Sequence, residues 1–193
     1  MVSSAPGVLV LAEERCAESV RELRQRCEAA GWLVEAPLLS ERALADDRAA
    51  VAELVGRRDA LVRAGADPAR LALAGFGRGG TVAFLCACAW RVRATVDVEG
   101  PVVHATLSKE RPIQPLELAL NFEGALLVVR APESVLSDEE LVHLEARLSS
   151  AGRPCAIVVA PELARAAPKG ANVAALATRI FSFLVDNLAE EPD

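Results

Sequence analysis

Apolar residues gather into six short runs, and the stretches between them carry helical spacing. Residues 7–12 (GVLVLA) are continuously apolar, as a strand buried on both faces is. Further strand-like runs cover residues 32–36, stopped by Pro37, and then 70–74, 94–98, 125–129 and 155–159. Between the first two, Ala17, Val20, Leu23 and Cys27 recur on one helical face, and Gly31 supplies a C-terminal cap. Residues 44–64 read as one long helix closed by Gly65, followed by an Asp67-Pro68 turn. Residues 81–90 form an apolar helix. Ser137 with Glu140 three positions on makes a capping box for a helix that Gly152 ends. Residues 99–123 are a long connection containing Pro101, Pro112 and Pro115. Residues 160–171 form a loop, 173–188 a closing helix, and the acidic tail is expected to fray.

Strict strand–helix alternation predicts an α/β fold, a three-layer α/β/α sandwich with a mainly parallel sheet. No repeat, linker or low-complexity segment divides the chain, so residues 1–193 are expected to form a single domain.

Composition narrows the function classes. The formal net charge is −6, and no run of Lys or Arg makes a basic patch, which predicts no nucleic-acid partner. No apolar run approaches a membrane span, and the first is too short for a signal sequence, so no membrane association is expected. The five cysteines are odd in number and match no zinc-ligand spacing. They read as buried reduced thiols, which predicts a cytoplasmic protein with no metal. No cofactor is expected, apart from the nucleotide that one reading of the glycine turn would bring.

The sharp motif is Gly75-Phe76-Gly77-Arg78-Gly79-Gly80, between a strand and a helix. Two readings compete. In the first, Gly75, Gly77 and Gly80 fit G-x-G-x-x-G, a helix N-terminus holds a pyrophosphate, and Asp97 reads a ribose hydroxyl. That motif normally opens its fold, whereas two βα units precede it here. In the second, the segment is a nucleophile elbow of the G-x-S-x-G type, with Gly75 and Gly79 as the close-packed flanks and Gly77 at the centre.

GADPARLALAGFGRGGTVAFLCA resembles the elbow strand and helix of the dienelactone hydrolases. AAGWLVEAPLL and RATVDVEGP are similar to that family's second-strand and post-elbow segments, and the likeness spans nearly the whole chain. The resemblance implies a minimal α/β-hydrolase fold without a lid, and a nucleophile, an acid and a histidine in that chain order. The nucleophile position falls on Gly77, which has no side chain to acylate. The acid position falls near Glu133, which reads more readily as an ordinary loop glutamate. The histidine position falls on Ala164 or Arg165, and no histidine follows His143. His143 lies off the apolar stripe of its helix and is expected on the surface; His104 lies in the long connection, within reach of a pocket but more readily read as a solvated loop histidine. Cys86 and Cys88 read as packing residues of the elbow helix, and Ser134 and Ser137 as loop and cap residues.

The leading expectation is therefore a catalytically degenerate dienelactone hydrolase-like protein that binds a ligand or partner. Gly77 would relax the elbow, and the Arg78 N–H would point into the vacated site, whose concavity would accept a small anionic or ester-like ligand. Two alternatives stay open. One is an active ester or lactone hydrolase, or a lyase-like enzyme, using a relocated residue such as Cys16 at a helix N-terminus. The other is dinucleotide binding through the glycine turn. A protein partner or a homodimer is compatible with the sequence, which offers no specific support for either.

Overall fold

The computed structural model describes residues 4–134, 136–164 and 171–189. Arg165 and the acidic tail, for which the sequence carried expectations, lie outside the described residues. Six strands, β1 (Ala5–Leu11), β2 (Leu33–Glu35), β3 (Ala66–Phe76), β4 (Ala94–Val98), β5 (Ala125–Arg130) and β6 (Cys155–Val159), make one sheet in the order β2-β1-β3-β4-β5-β6. Every pairing is parallel. Helices α1 (Ala17–Ala29) and α6 (Ala171–Leu188) cover one face. Helices α3 (Asp47–Arg63), α4 (Arg78–Ala89) and α5 (Asp138–Ser150) cover the other. This is the three-layer sandwich that the alternation predicts.

β1 and β5 are apolar on both sides because each side meets a helical layer. Val8 and Val10 pack with Leu23, Ile180 and Leu184 on the α1/α6 side, while Leu9 and Leu11 pack with Leu54 and Phe84 on the other. The period-two alternation of the pleat divides one continuous apolar run between two cores. Helix α4 is buried from Gly79 to Ala87. A 3-10 helix at Pro115–Asn121 packs against it within the long connection, and Phe84 stacks on Phe122 with ring centroids 5.5 Å apart.

Three local readings are corrected. Asp67 and Pro68, expected as a turn, fall inside β3. The expected helix over 44–64 is broken: α2 (Glu41–Ala45) ends at Asp46, which is extended at φ −125° and ψ 119° and whose side chain caps α3 by accepting from the Ala49 N–H. A side chain that competes for backbone N–H groups ends one helix and starts the next. The capping box at Ser137 is half made. Ser137 Oγ accepts from the Glu140 N–H, but the Glu140 carboxylate reaches across to the N–H groups of Val102 and Val103.

Candidate functional site

The chain crosses from β1 to β2 on one side of the sheet and returns to β3 on the other, so the carboxyl ends of β1 and β3 flank a topological switch point. Crevices for ligands in open parallel sheets form there. Two segments meet at it: the turn after β3, which is the glycine motif, and the turn after β1, which begins at Glu13.

The glycine motif has elbow geometry. Gly77 is the N-cap of α4 at φ 57° and ψ −127°. Side-chain-bearing residues reach such dihedrals only under strain. Its N–H donates to the Val98 carbonyl at 2.7 Å, and its carbonyl accepts from the Gly80 N–H at 2.9 Å. The flanks are glycine for steric reasons: a Cβ on Gly75 would collide with the Gly79 carbonyl, and one on Gly79 with the Leu11 carbonyl.

The Arg78 N–H does point toward the switch point, but it is taken. It donates to the Glu13 carboxylate at 3.2 Å, across 65 residues of sequence. A carboxylate of the chain thus sits where the vacated site was expected to receive an anion. The Arg78 side chain leaves the site altogether. Its Nε donates to the Leu44 carbonyl at 3.2 Å, and Nη2 forms an ion pair with Asp47 Oδ1. Asp47 Oδ2 in turn meets His104 Nε2 at 3.0 Å, and both residues are buried. The helix break at Asp46 sets Asp47 in this position. His104 is therefore part of a buried ion-pair cluster, not a solvated loop residue; Gln114 fixes its backbone, its Oε1 accepting from the His104 N–H at 2.5 Å and its Nε2 donating to the His104 carbonyl at 3.0 Å.

The remaining candidates do not assemble into a triad with the elbow. Glu133 is exposed in the turn after β5 and makes no hydrogen bond or ion pair among the described residues. That turn is held instead by Glu99, whose carboxylate accepts from the Ala131 N–H at 2.5 Å and the Ser134 hydroxyl at 3.1 Å. Glu99 ends β4 at φ 59°, a left-handed position for a residue with a side chain. Ala164 follows a 3-10 turn at Pro161–Leu163, and His143 is exposed on α5. Cys16 is the N-cap of α1, as the relocated-nucleophile reading requires, but it packs against the α1/α6 core, and neither histidine lies in that layer. None of the five cysteines forms a disulfide. Burial pushes the Cys27 and Cys88 thiols up to about 12 and Cys155 to about 11, and raises Cys86 beyond them, which marks these four as packing groups.

Asp97 overturns the geometry needed for a dinucleotide. It is fully buried beneath α4, with Oδ1 accepting from the Gly100 N–H at 2.8 Å, and a Cβ on Gly80 would collide with that same oxygen. No ribose can reach it. Burial, reinforced by the neighbouring Glu140 and Glu99 carboxylates, raises its pKa well above the ordinary carboxylate value, while the Gly100 hydrogen bond opposes the rise. Asp97 is a structural acid that holds the turn after β4 through Gly100, beneath the elbow helix. Thr81 adds to the hold, its hydroxyl donating to the Pro101 carbonyl at 2.9 Å.

Sequence reasoning did not single out Glu13, Asp47 or Glu99. Glu13 had one available signal, its place directly after a strand that borders the switch point. Among the described residues no group of His, Cys, Asp and Glu is arranged to hold a metal ion, and no helix is long and apolar enough to cross a membrane.

Comparison with solved structures confirms the architecture. A protein designated a dienelactone hydrolase from Klebsiella pneumoniae matches with a TM-score of 0.80 and 20% identity, over 99% of this chain and 89% of that one. A thermostable esterase from Pseudomonas putida matches at 0.73 and 17% identity, over 99% and 77%. A puromycin-hydrolysing peptidase from Mycobacterium tuberculosis matches at 0.73 and 16% identity; this chain spans 35% of its length. No family model and no curated protein matches the sequence. The chain has a dienelactone hydrolase-like α/β-hydrolase fold.

Proposed function

We propose that this protein keeps the hydrolase scaffold without its acyl-transfer chemistry, and acts by binding a ligand or a partner. The observation that carries the reading is the elbow itself. Its apex, Gly77, has no nucleophilic atom, and the N–H beside it, which an oxyanion would need, is bonded to the chain's own Glu13 carboxylate. A hydrolase of this type needs a nucleophile, a base within hydrogen-bond reach of it, and an unoccupied donor for the developing oxyanion. Glu133 is exposed in the turn after β5, and His104 is engaged with Asp47. A small anionic or ester-like ligand at Gly77 and Arg78 would have to displace Glu13 to reach the elbow N–H. The five thiols support a reducing, cytoplasmic location.

A second reading keeps an enzyme, with Cys16 as a relocated nucleophile; its position at the N-cap of α1 is the observation in favour. One experiment separates the two. The purified protein is assayed on a panel of activated esters and lactones beside Cys16→Ala. Turnover no greater than buffer is expected for both. Turnover that disappears in Cys16→Ala would establish the relocated nucleophile and refute the non-hydrolytic reading.

A further inference from the structure

Away from the elbow, the outer side of the α3/α4 layer carries a groove of about 330 Å³. Val51 of α3, Leu85 and Ala89 of α4, and Pro112, Ile113 and Leu118 of the long connection line it. Its wall is carbon open to water: Ile113 alone is 42% exposed. A concave, carbon-lined space of this size is in the range of small-molecule sites, about 300–1,000 Å³.

Two charged residues stand at the α3 end of the groove, Asp47 and Arg48. Asp47 brings no unmatched charge, because Arg78 and His104 hold both of its oxygens. Arg48 is exposed and makes no hydrogen bond or ion pair among the described residues. It also opposes its own local structure. It lies two residues after the N-cap Asp46, in the first turn of α3, where the helix dipole disfavours a cation. A residue that works against its own helix points to a role outside it. Arg48 and the positive end of α3 would both favour an anion at the groove mouth.

We propose that this groove binds a medium-chain carboxylate, with the aliphatic tail along Val51, Leu85 and Ile113 and the carboxylate on Arg48. The site is separate from the elbow, and it stands whether or not the elbow is catalytic. It gives the non-hydrolytic reading a ligand class of its own: one apolar tail and one negative charge.

Isothermal titration of the full chain with octanoate and with 1-octanol tests this. Saturable binding of one octanoate is expected, with 1-octanol about fivefold weaker or more for want of the charge. Ala52→Trp places a ring in the groove from an exposed position and should weaken both probes by about tenfold or more. Arg48→Glu suits the α3 dipole, so the fold should hold, as thermal denaturation will verify. It should weaken octanoate about fivefold and leave 1-octanol unchanged. Absence of saturable octanoate binding at millimolar concentration, or binding indifferent to Ala52→Trp, overturns the proposal. Octanoate affinity indifferent to Arg48→Glu overturns the assignment of its head. A dimer that Ala52→Trp disperses would overturn it too, by placing a second copy in the groove. Ester turnover, read on the same samples, decides the elbow question separately.

Discussion

Replacing Gly77 with serine restores the hydroxyl of an elbow and tests both halves of the argument about it. The backbone there stands at φ 57° and ψ −127°. Holding a side-chain-bearing residue in such a region costs about 1–3 kcal/mol. Loss of glycine's freedom in the unfolded chain returns about 0.4–1 kcal/mol. Taking the middle of each range, the net expected destabilisation is about 1–2 kcal/mol, and in a chain of this size each kcal/mol moves Tm by about 2–4 °C. Gly77→Ser should therefore melt about 2–8 °C below the parent protein, with Gly77→Ala falling by a similar amount. Thermal denaturation by circular dichroism measures the loss. Hydrolysis of a p-nitrophenyl ester by the same samples should stay at the buffer rate, because His104 is engaged with Asp47, His143 is exposed on α5, and the Glu13 carboxylate is tied to the Arg78 N–H that an oxyanion would need. Turnover by Gly77→Ser but not Gly77→Ala would show that a working base and oxyanion donor are present, and the reasoning would fail. An unchanged Tm in both variants would refute the strain assigned to the turn.

Three further outcomes are expected. Asp97 has a folded-state pKa raised well above its ordinary carboxylate value, so the stability it contributes is complete below that ordinary value and is lost as pH rises through the folded one. Asp97→Asn keeps the acceptor for the Gly100 N–H, so its urea midpoint should fall less between pH 4 and neutrality than that of the parent; parallel pH profiles would contradict the buried acid. Glu13→Ala vacates the Arg78 N–H, and inorganic phosphate should then raise Tm in this variant but not in the parent, whereas equal shifts would mean that Glu13 does not block the elbow. Asp47→Ala strands Arg78 and His104 as buried partners without their shared carboxylate and should cost about 3–5 kcal/mol in denaturant titrations; a loss under 1 kcal/mol would show that the cluster is solvated.

Much of the fold was legible in the chain because it follows from local periodicity. Residues 7–12 could be read as a doubly buried strand, since an apolar run without alternation has no face to offer water. The elbow was legible because two of its glycines answer to collisions within the elbow and with β1, and Gly77 to a dihedral region that penalises side chains. The absence of a nucleophile there needs no structure to establish. Three features lay beyond the sequence. The helix over 44–64 reads as unbroken because Asp46 and Asp47 sit within a helical pattern; it breaks where Asp46 turns to cap α3, and Asp47 meets Arg78 and His104, 31 and 57 residues away. Asp97 follows the elbow at a spacing that suits a ribose contact, and only the packing of α4 over β4 shows it sealed in. Glu13 is one of two consecutive glutamates after a strand, and nothing local marks its bond to the elbow. Backbone periodicity is set within a few residues and is written into their order. The partner of a charged side chain depends on which loops the strand order brings to the same end of the sheet, and that is decided only when the whole chain has folded.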